Sequence, residues 1–202
     1  MTSSRQDETR TPGKRRPTRG PRRITPSYLE NAALFYLGRY ATSTAHFRRI
    51  LMNKVRRSAR FHGTDIEEGE KIVEDLIRRY RKSGLLDDNR YAEAKARHLH
   101  GRGMALRGIQ AKLREKGIEA DAIEEAVSKL RESTARPDLA AAAAYVRRRR
   151  FGPYRPPENR SAHFKKDLAA LGRSGFSYGI ARQVLEVASV DALEALLAEE
   201  EI

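Results

Sequence analysis

The chain contains no cysteine. A disulfide framework, a thiolate zinc site and a cysteine nucleophile are therefore excluded. The lack fits a reducing cytosol. Long apolar runs are also missing. The longest, Leu139 to Val146, is mostly alanine and falls far short of the roughly 20 residues a bilayer span needs. The basic N-terminus has no apolar core of the kind a signal peptide carries. A cytoplasmic protein without membrane contact is expected. The eight prolines cluster and leave long stretches free for helix, and no segment alternates apolar and polar residues as a strand does.

Catalytic constellations are absent too. Asp87 and Asp88 follow a glycine and precede an apolar-periodic run, so helix capping explains them better than metal chemistry. His98 and His100, two apart on a helix, point to different faces. His46, His62 and His163 lack ligand spacing. Gly101 and Gly103 have neither the lysine ending nor the strand context of a phosphate loop. No catalytic residue, metal site or cofactor is expected, and the chain reads as a binding protein and not as an enzyme.

Positive charge, by contrast, is abundant. The formal net charge is +14 and the isoelectric point about 10.3. Residues 1–23 hold eight basic and two acidic side chains, whereas residues 186–202 hold six acidic and no basic ones. The two ends cancel, so the body of the chain carries the whole surplus. Such a surface attracts polyanions. Three basic runs stand out. Arg48, Arg49, Lys54, Arg56, Arg57 and Arg60 form the first. Arg102, Arg107, Lys112, Arg114 and Lys116 surround the apolar stripe of one helix. Arg147, Arg148, Arg149 and Arg150 end another helix, with Arg155, Lys165, Lys166 and Arg173 beyond. Tyr145, Phe151 and Tyr154 lie near the last run. They either stack on bases or pack between units.

Residues 1–23, rich in Arg, Thr, Ser, Pro and Gly, read as a disordered basic extension. It is either a phosphate-touching arm or a passive tail. From Ile24 the periodicity is helical. Ser27 is expected to cap a first helix, on which Ala32, Ala33, Phe35, Tyr36 and Tyr40 recur. Ser43 or Thr44 caps a second, with Phe47, Ile50, Leu51 and Met52. A polar insert over about 56–69 follows, then a third helix with the stripe Ile72, Val73, Leu76, Ile77 and Tyr80. After Gly84, Asp87 or Asp88 opens a helix ending near Gly101. The next stops at Lys116-Gly117, and Asp121 opens its successor. An alanine-rich helix runs from Asp138 to Arg149. After a proline-rich loop, another stops at Ser174-Gly175, and Ser177 caps the next.

The punctuation repeats. Lys116-Gly117-Ile118 precedes a helix with Ile123 and Val127. Ser174-Gly175-Phe176 precedes one with Ile180, Val184 and Leu185. The expected divisions are 24–86, 87–133 and 137–190, with an acidic tail over 191–202. Units this small bury their apolar faces by stacking on neighbours; a single irregular bundle is the alternative.

At this point the chain resembles the RecX family. The stretch Ser83-Gly84-Leu85-Leu86-Asp87-Asp88-Asn89-Arg90-Tyr91-Ala92-Glu93 carries the likeness, with Gly108-Ile109, Leu113 and Lys116-Gly117-Ile118. Arg149-Arg150-Phe151-Gly152 and Leu171-Gly172-Arg173-Ser174-Gly175-Phe176-Ser177-Tyr178 add to it. The resemblance implies an all-α fold of three tandem three-helix repeats in an elongated, curved array. It implies binding along RecA filaments and modulation, mainly inhibition, of recombinase, ATPase and coprotease activity, with contacts to single- and double-stranded DNA phosphates. No dimer seam is evident, so a monomer is expected. The first unit departs from the pattern, having Asn53-Lys54-Val55-Arg56-Arg57 in place of the lysine–glycine stop. The rival reading is a helix-turn-helix DNA-binding regulator without RecA dependence.

Overall fold

The computed structural model describes residues 20–198. Among these there are ten α-helices and no strand: α1 Pro26–Leu37, α2 Thr44–His62, α3 Ile66–Lys82, α4 Asp88–Gly101, α5 Leu106–Glu115, α6 Ala120–Ser133, α7 Pro137–Arg149, α8 Pro157–Arg173, α9 Tyr178–Glu186 and α10 Val190–Ala198. A short 3-10 turn, Gly152–Tyr154, links α7 to α8. No described helix is long and apolar enough to cross a membrane.

Three separate apolar cores divide the helices into three bundles. Leu29, Ala33, Phe47, Leu51, Val55, Val73 and Leu76 join α1 to α3. Ala92, Ala96, Ile109, Leu113, Ile123 and Val127 join α4 to α6. The third core joins α7 to α9 through Leu139, Val146, Leu171, Phe176 and Val184, and α10 adds Leu193. The fold is therefore an all-α array of tandem three-helix repeats.

Local chemistry explains most helix ends. The Asp87 carboxylate accepts from the Arg90 amide at 2.9 Å, and the Ser43 hydroxyl from the His46 amide at 3.2 Å. Gly117 adopts φ +72°, the left-handed stop that glycine accepts readily. The first helix starts earlier than its Ser27 suggests. Thr25 is the cap, its hydroxyl accepting from the Tyr28 amide, and Pro26 takes the first helical position, where the missing N–H is no loss.

The insert expected over 56–69 is mostly helix. Residues 56–62 continue α2 and 66–69 begin α3. Phe47, Leu51, Val55 and Ser58 are all buried, a stripe spaced by four, four and three residues. A serine in its last position conceals that stripe from a purely apolar count. Ser58 is buried because its hydroxyl accepts from the Ile24 amide at 3.0 Å. Gly69 lets α3 press on α2, since a Cβ there would come within 2.5 Å of a Val55 methyl. Of the extension read as disordered, residues 1–19 lie outside the described residues, and Gly20 to Arg23 run beside the end of α2. Of the segment read as an acidic tail, residues 191–198 belong to α10, anchored by buried Leu193, and residues 199–202 lie outside the described residues.

Candidate functional site

The bundles meet through one joint used twice. In the first, the start of α2 abuts the end of α5. The Asp88 carboxylate accepts from the Thr44 amide at 2.8 Å, and the Ser43 hydroxyl donates to the Lys116 carbonyl at 2.6 Å. In the second, the start of α5 abuts the end of α8. The Asp138 carboxylate accepts from the Leu106 amide at 2.8 Å, and the Ala105 amide donates to the Ser174 carbonyl at 3.3 Å. The second helix of each bundle thus follows the next one end to end. The partly positive N-terminus of one faces the partly negative C-terminus of the other.

This row collects basic side chains. Arg107 and Arg114, seven residues apart on α5, share one flank of its Leu106–Ile109–Leu113 stripe, and both are exposed. Arg107 precedes Gly108, whose backbone is packed on the Ser174 carbonyl. Exposed Arg173, beside Ser174, therefore lies across the same joint. Lys165 and Lys166 are exposed on α8. At the other joint, Lys116 and Arg49 lie close to His46. Its imidazole is held below the usual histidine range, first by burial and then by the charges of Arg49 and Lys116. Arg102 is exposed after α4. It precedes Gly103, whose backbone is pressed on α7 at Ala141 and Tyr145.

Not every expected cation is free to bind. Arg155 is sequestered: its guanidinium sits 2.9 Å from Asp167, and their side chains are 19% and 5% exposed. This pair braces the third bundle, so Arg155 is a structural residue and an unsuitable contact. Lys112 lies on the opposite flank of α5 from Arg107, 2.8 Å from Glu115. The two therefore do not form a single face. In the first bundle Arg48 is held by Glu70 and Glu74. Arg147 to Arg150 are exposed at the end of α7, with the guanidinium groups of Arg148 and Arg149 at 5.6 and 5.8 Å from the Tyr145 ring.

Tyr145, Phe151 and Tyr154 belong to the third core. Tyr145 is buried, and its ring lies 6.0 Å from Phe151 and 6.1 Å from Phe176, which leaves it unavailable to a base. Phe35, by contrast, is exposed, as are Leu34 and Tyr40. The helical stripe on α1 is Leu29 and Ala33, not Phe35. Sequence reasoning also missed His46 as part of a basic cluster, since its neighbour Lys116 is 70 positions away and no local spacing announces it.

The family model for the second three-helix domain of RecX matches residues 87–127, in the bundle whose α5 forms the middle of the row. The Regulatory protein RecX of Myxococcus xanthus is 41% identical over 174 residues, covering 86% of this chain and 92% of its own. That of Agrobacterium fabrum is 32% identical over 173 residues, covering 84% and 88%. A crystal structure of a regulatory protein RecX is similar in fold, with TM-score 0.52 and 21% identity over 79% of this chain and 70% of that one. These relatives are named as regulatory proteins. The chain belongs to the RecX family.

Proposed function

We propose that this protein binds along RecA nucleoprotein filaments and restrains them, lowering recombinase, ATPase and coprotease activity and thereby regulating DNA repair and recombination. It acts in the cytoplasm, as a monomer and without catalysis of its own. The observation that carries this reading is the end-to-end row of α2, α5 and α8, with basic side chains at both joints. A filament repeats its DNA phosphates and acidic surfaces at regular intervals, and modules joined in a row engage several of them at once. Linked weak contacts then gain avidity when their spacing matches. A molecule held at several points hinders subunit motion and filament growth.

The test is RecA ATPase on single-stranded DNA, titrated with this protein at two salt concentrations. Inhibition that weakens as salt rises supports the reading, because phosphate contacts release counterions. Turnover unaffected at either salt concentration refutes it.

A further inference from the structure

The N-terminal arm and α2 enclose a groove of about 690 Å³ at the free end of the first bundle. Two contacts hold the arm in place. The Ile24 amide donates to Ser58 at 3.0 Å, and the His62 ring lies 2.6 Å from the Pro21 carbonyl. Arg22, Arg23, Lys54 and Arg57 line the groove together with Tyr28 and Phe61, and among the described residues no carboxylate does. None of these four cations forms an ion pair among the described residues, in contrast to Arg48 on the same helix. Arg22 and Lys54 both approach the Tyr28 ring, at 6.0 and 5.9 Å. Phe61 remains 63% exposed.

Unpaired cations converging on one recess favour an anion. An exposed ring in the same recess favours a flat, apolar face on that anion. An acidic peptide offers the charge without the face, and a duplex keeps its base faces stacked inside. We infer that this groove binds a nucleotide of single-stranded nucleic acid, its phosphate held by Arg22, Lys54 and Arg57 and its base stacked on Phe61. The site lies at the C-terminal end of α2, away from both joints of the α2–α5–α8 row. It extends the filament reading, yet needs no recombinase to act.

The experiment uses the full chain without RecA. An oligothymidylate of about five nucleotides, short enough to occupy one such site, carries a central 5-iododeoxyuridine for ultraviolet crosslinking and peptide mapping. The adduct is expected on the peptide holding Phe61 or Tyr28. Phe61→Ala should weaken binding of the oligothymidylate by roughly five- to hundredfold while leaving duplex affinity unchanged. Because Phe61 and Arg57 are exposed, Phe61→Ala and Arg57→Ala keep the fold, which circular dichroism verifies. Adducts confined to other bundles would overturn the inference. So would a Phe61→Ala protein that binds as tightly as the parent, or polyglutamate competing as well as oligothymidylate. Because RecA is absent, each of these results leaves the filament reading standing, and failure of that reading leaves the groove untouched.

Discussion

The Asp88 carboxylate accepts a hydrogen bond at 2.8 Å from the amide of Thr44, 44 positions earlier and in a different bundle. Its neighbour Asp87 caps its own helix. The two adjacent aspartates therefore divide their work: one caps α4, and the other accepts from the first amide of α2, which the Ser43 cap leaves open. Asp138 does the same for α5. Replacing either cross-bundle aspartate by alanine should cost about 1–2 kcal/mol, the usual value of a helix N-cap. Urea unfolding measures the loss. Amide exchange at Thr44 or Leu106 should accelerate in the matching variant alone, whereas Asp87→Ala should act on Arg90.

Gly103 predicts a sharper effect. Its φ is +79°, and a Cβ would come within 2.6 Å of the Tyr145 backbone nitrogen. Gly103→Ala therefore meets both the left-handed penalty, about 1–2 kcal/mol, and a backbone clash that side-chain motion cannot relieve. The second and third bundles should separate or the whole chain lose stability, visible as a lower Tm. Gly101→Ala is the control, since among the described residues nothing beyond its chain neighbours and its own helix lies within 4 Å of its added carbon.

Arg155 and Lys166 separate support from contact. Arg155→Ala leaves buried Asp167 without its partner, and breaking such a pair costs about 3–5 kcal/mol. Lys166→Ala, on an exposed position, should change stability by less than about 0.5 kcal/mol. Polyanion affinity should respond in the opposite order, with Lys166→Ala weakening it at temperatures where both variants are folded. Thermal melts and binding isotherms on the same two proteins check this.

His46 gives a pH dependence with a definite sign. Its folded pKa lies below the ordinary value of 6.5, because burial and then Arg49 and Lys116 disfavour the imidazolium. As pH falls through and below 6.5, the unfolded chain binds this proton more readily than the folded one, so stability falls. A bound phosphate beside Arg49 and Lys116 would reverse the local repulsion and draw the proton in. Stability should therefore decline on acidification, while affinity for anions rises. His46→Gln should flatten both trends, as urea titrations and binding measured between pH 5 and 8 will reveal.

The helices were legible because glycine stops, capping residues and apolar stripes are local signals. Leu106, Ile109 and Leu113 declare a buried face, and Gly117 its end. What stayed hidden depends on partners distant in sequence. Asp88 looks like a redundant cap until Thr44 is placed against it. Arg155 looks like one more surface cation until Asp167 is seen buried beside it. Ser58 occupies a core position that a hydrophobic count rejects, so α2 seemed to end early. Of the candidate cations, Arg107, Lys112 and Arg114 lie on the helix expected, whereas Arg56, Arg57 and Arg60, assigned to the insert, extend α2, and Arg102 follows α4. Only the end-to-end meeting of α5 with α8 revealed that Arg107 and Arg173 flank one joint.

The central claim is that the basic row grips a RecA filament at several points. Co-sedimentation with RecA–single-stranded DNA filaments across a salt series tests it most directly, comparing the parent with an Arg102→Glu, Arg107→Glu and Arg173→Glu variant. The parent should pellet with filaments. The variant should bind more weakly, with a plot of log affinity against log salt shallower by about two, since each lost single-strand phosphate contact removes about 0.7. A parent that stays in the supernatant, or a folded variant that pellets equally well with the same salt slope, would contradict it.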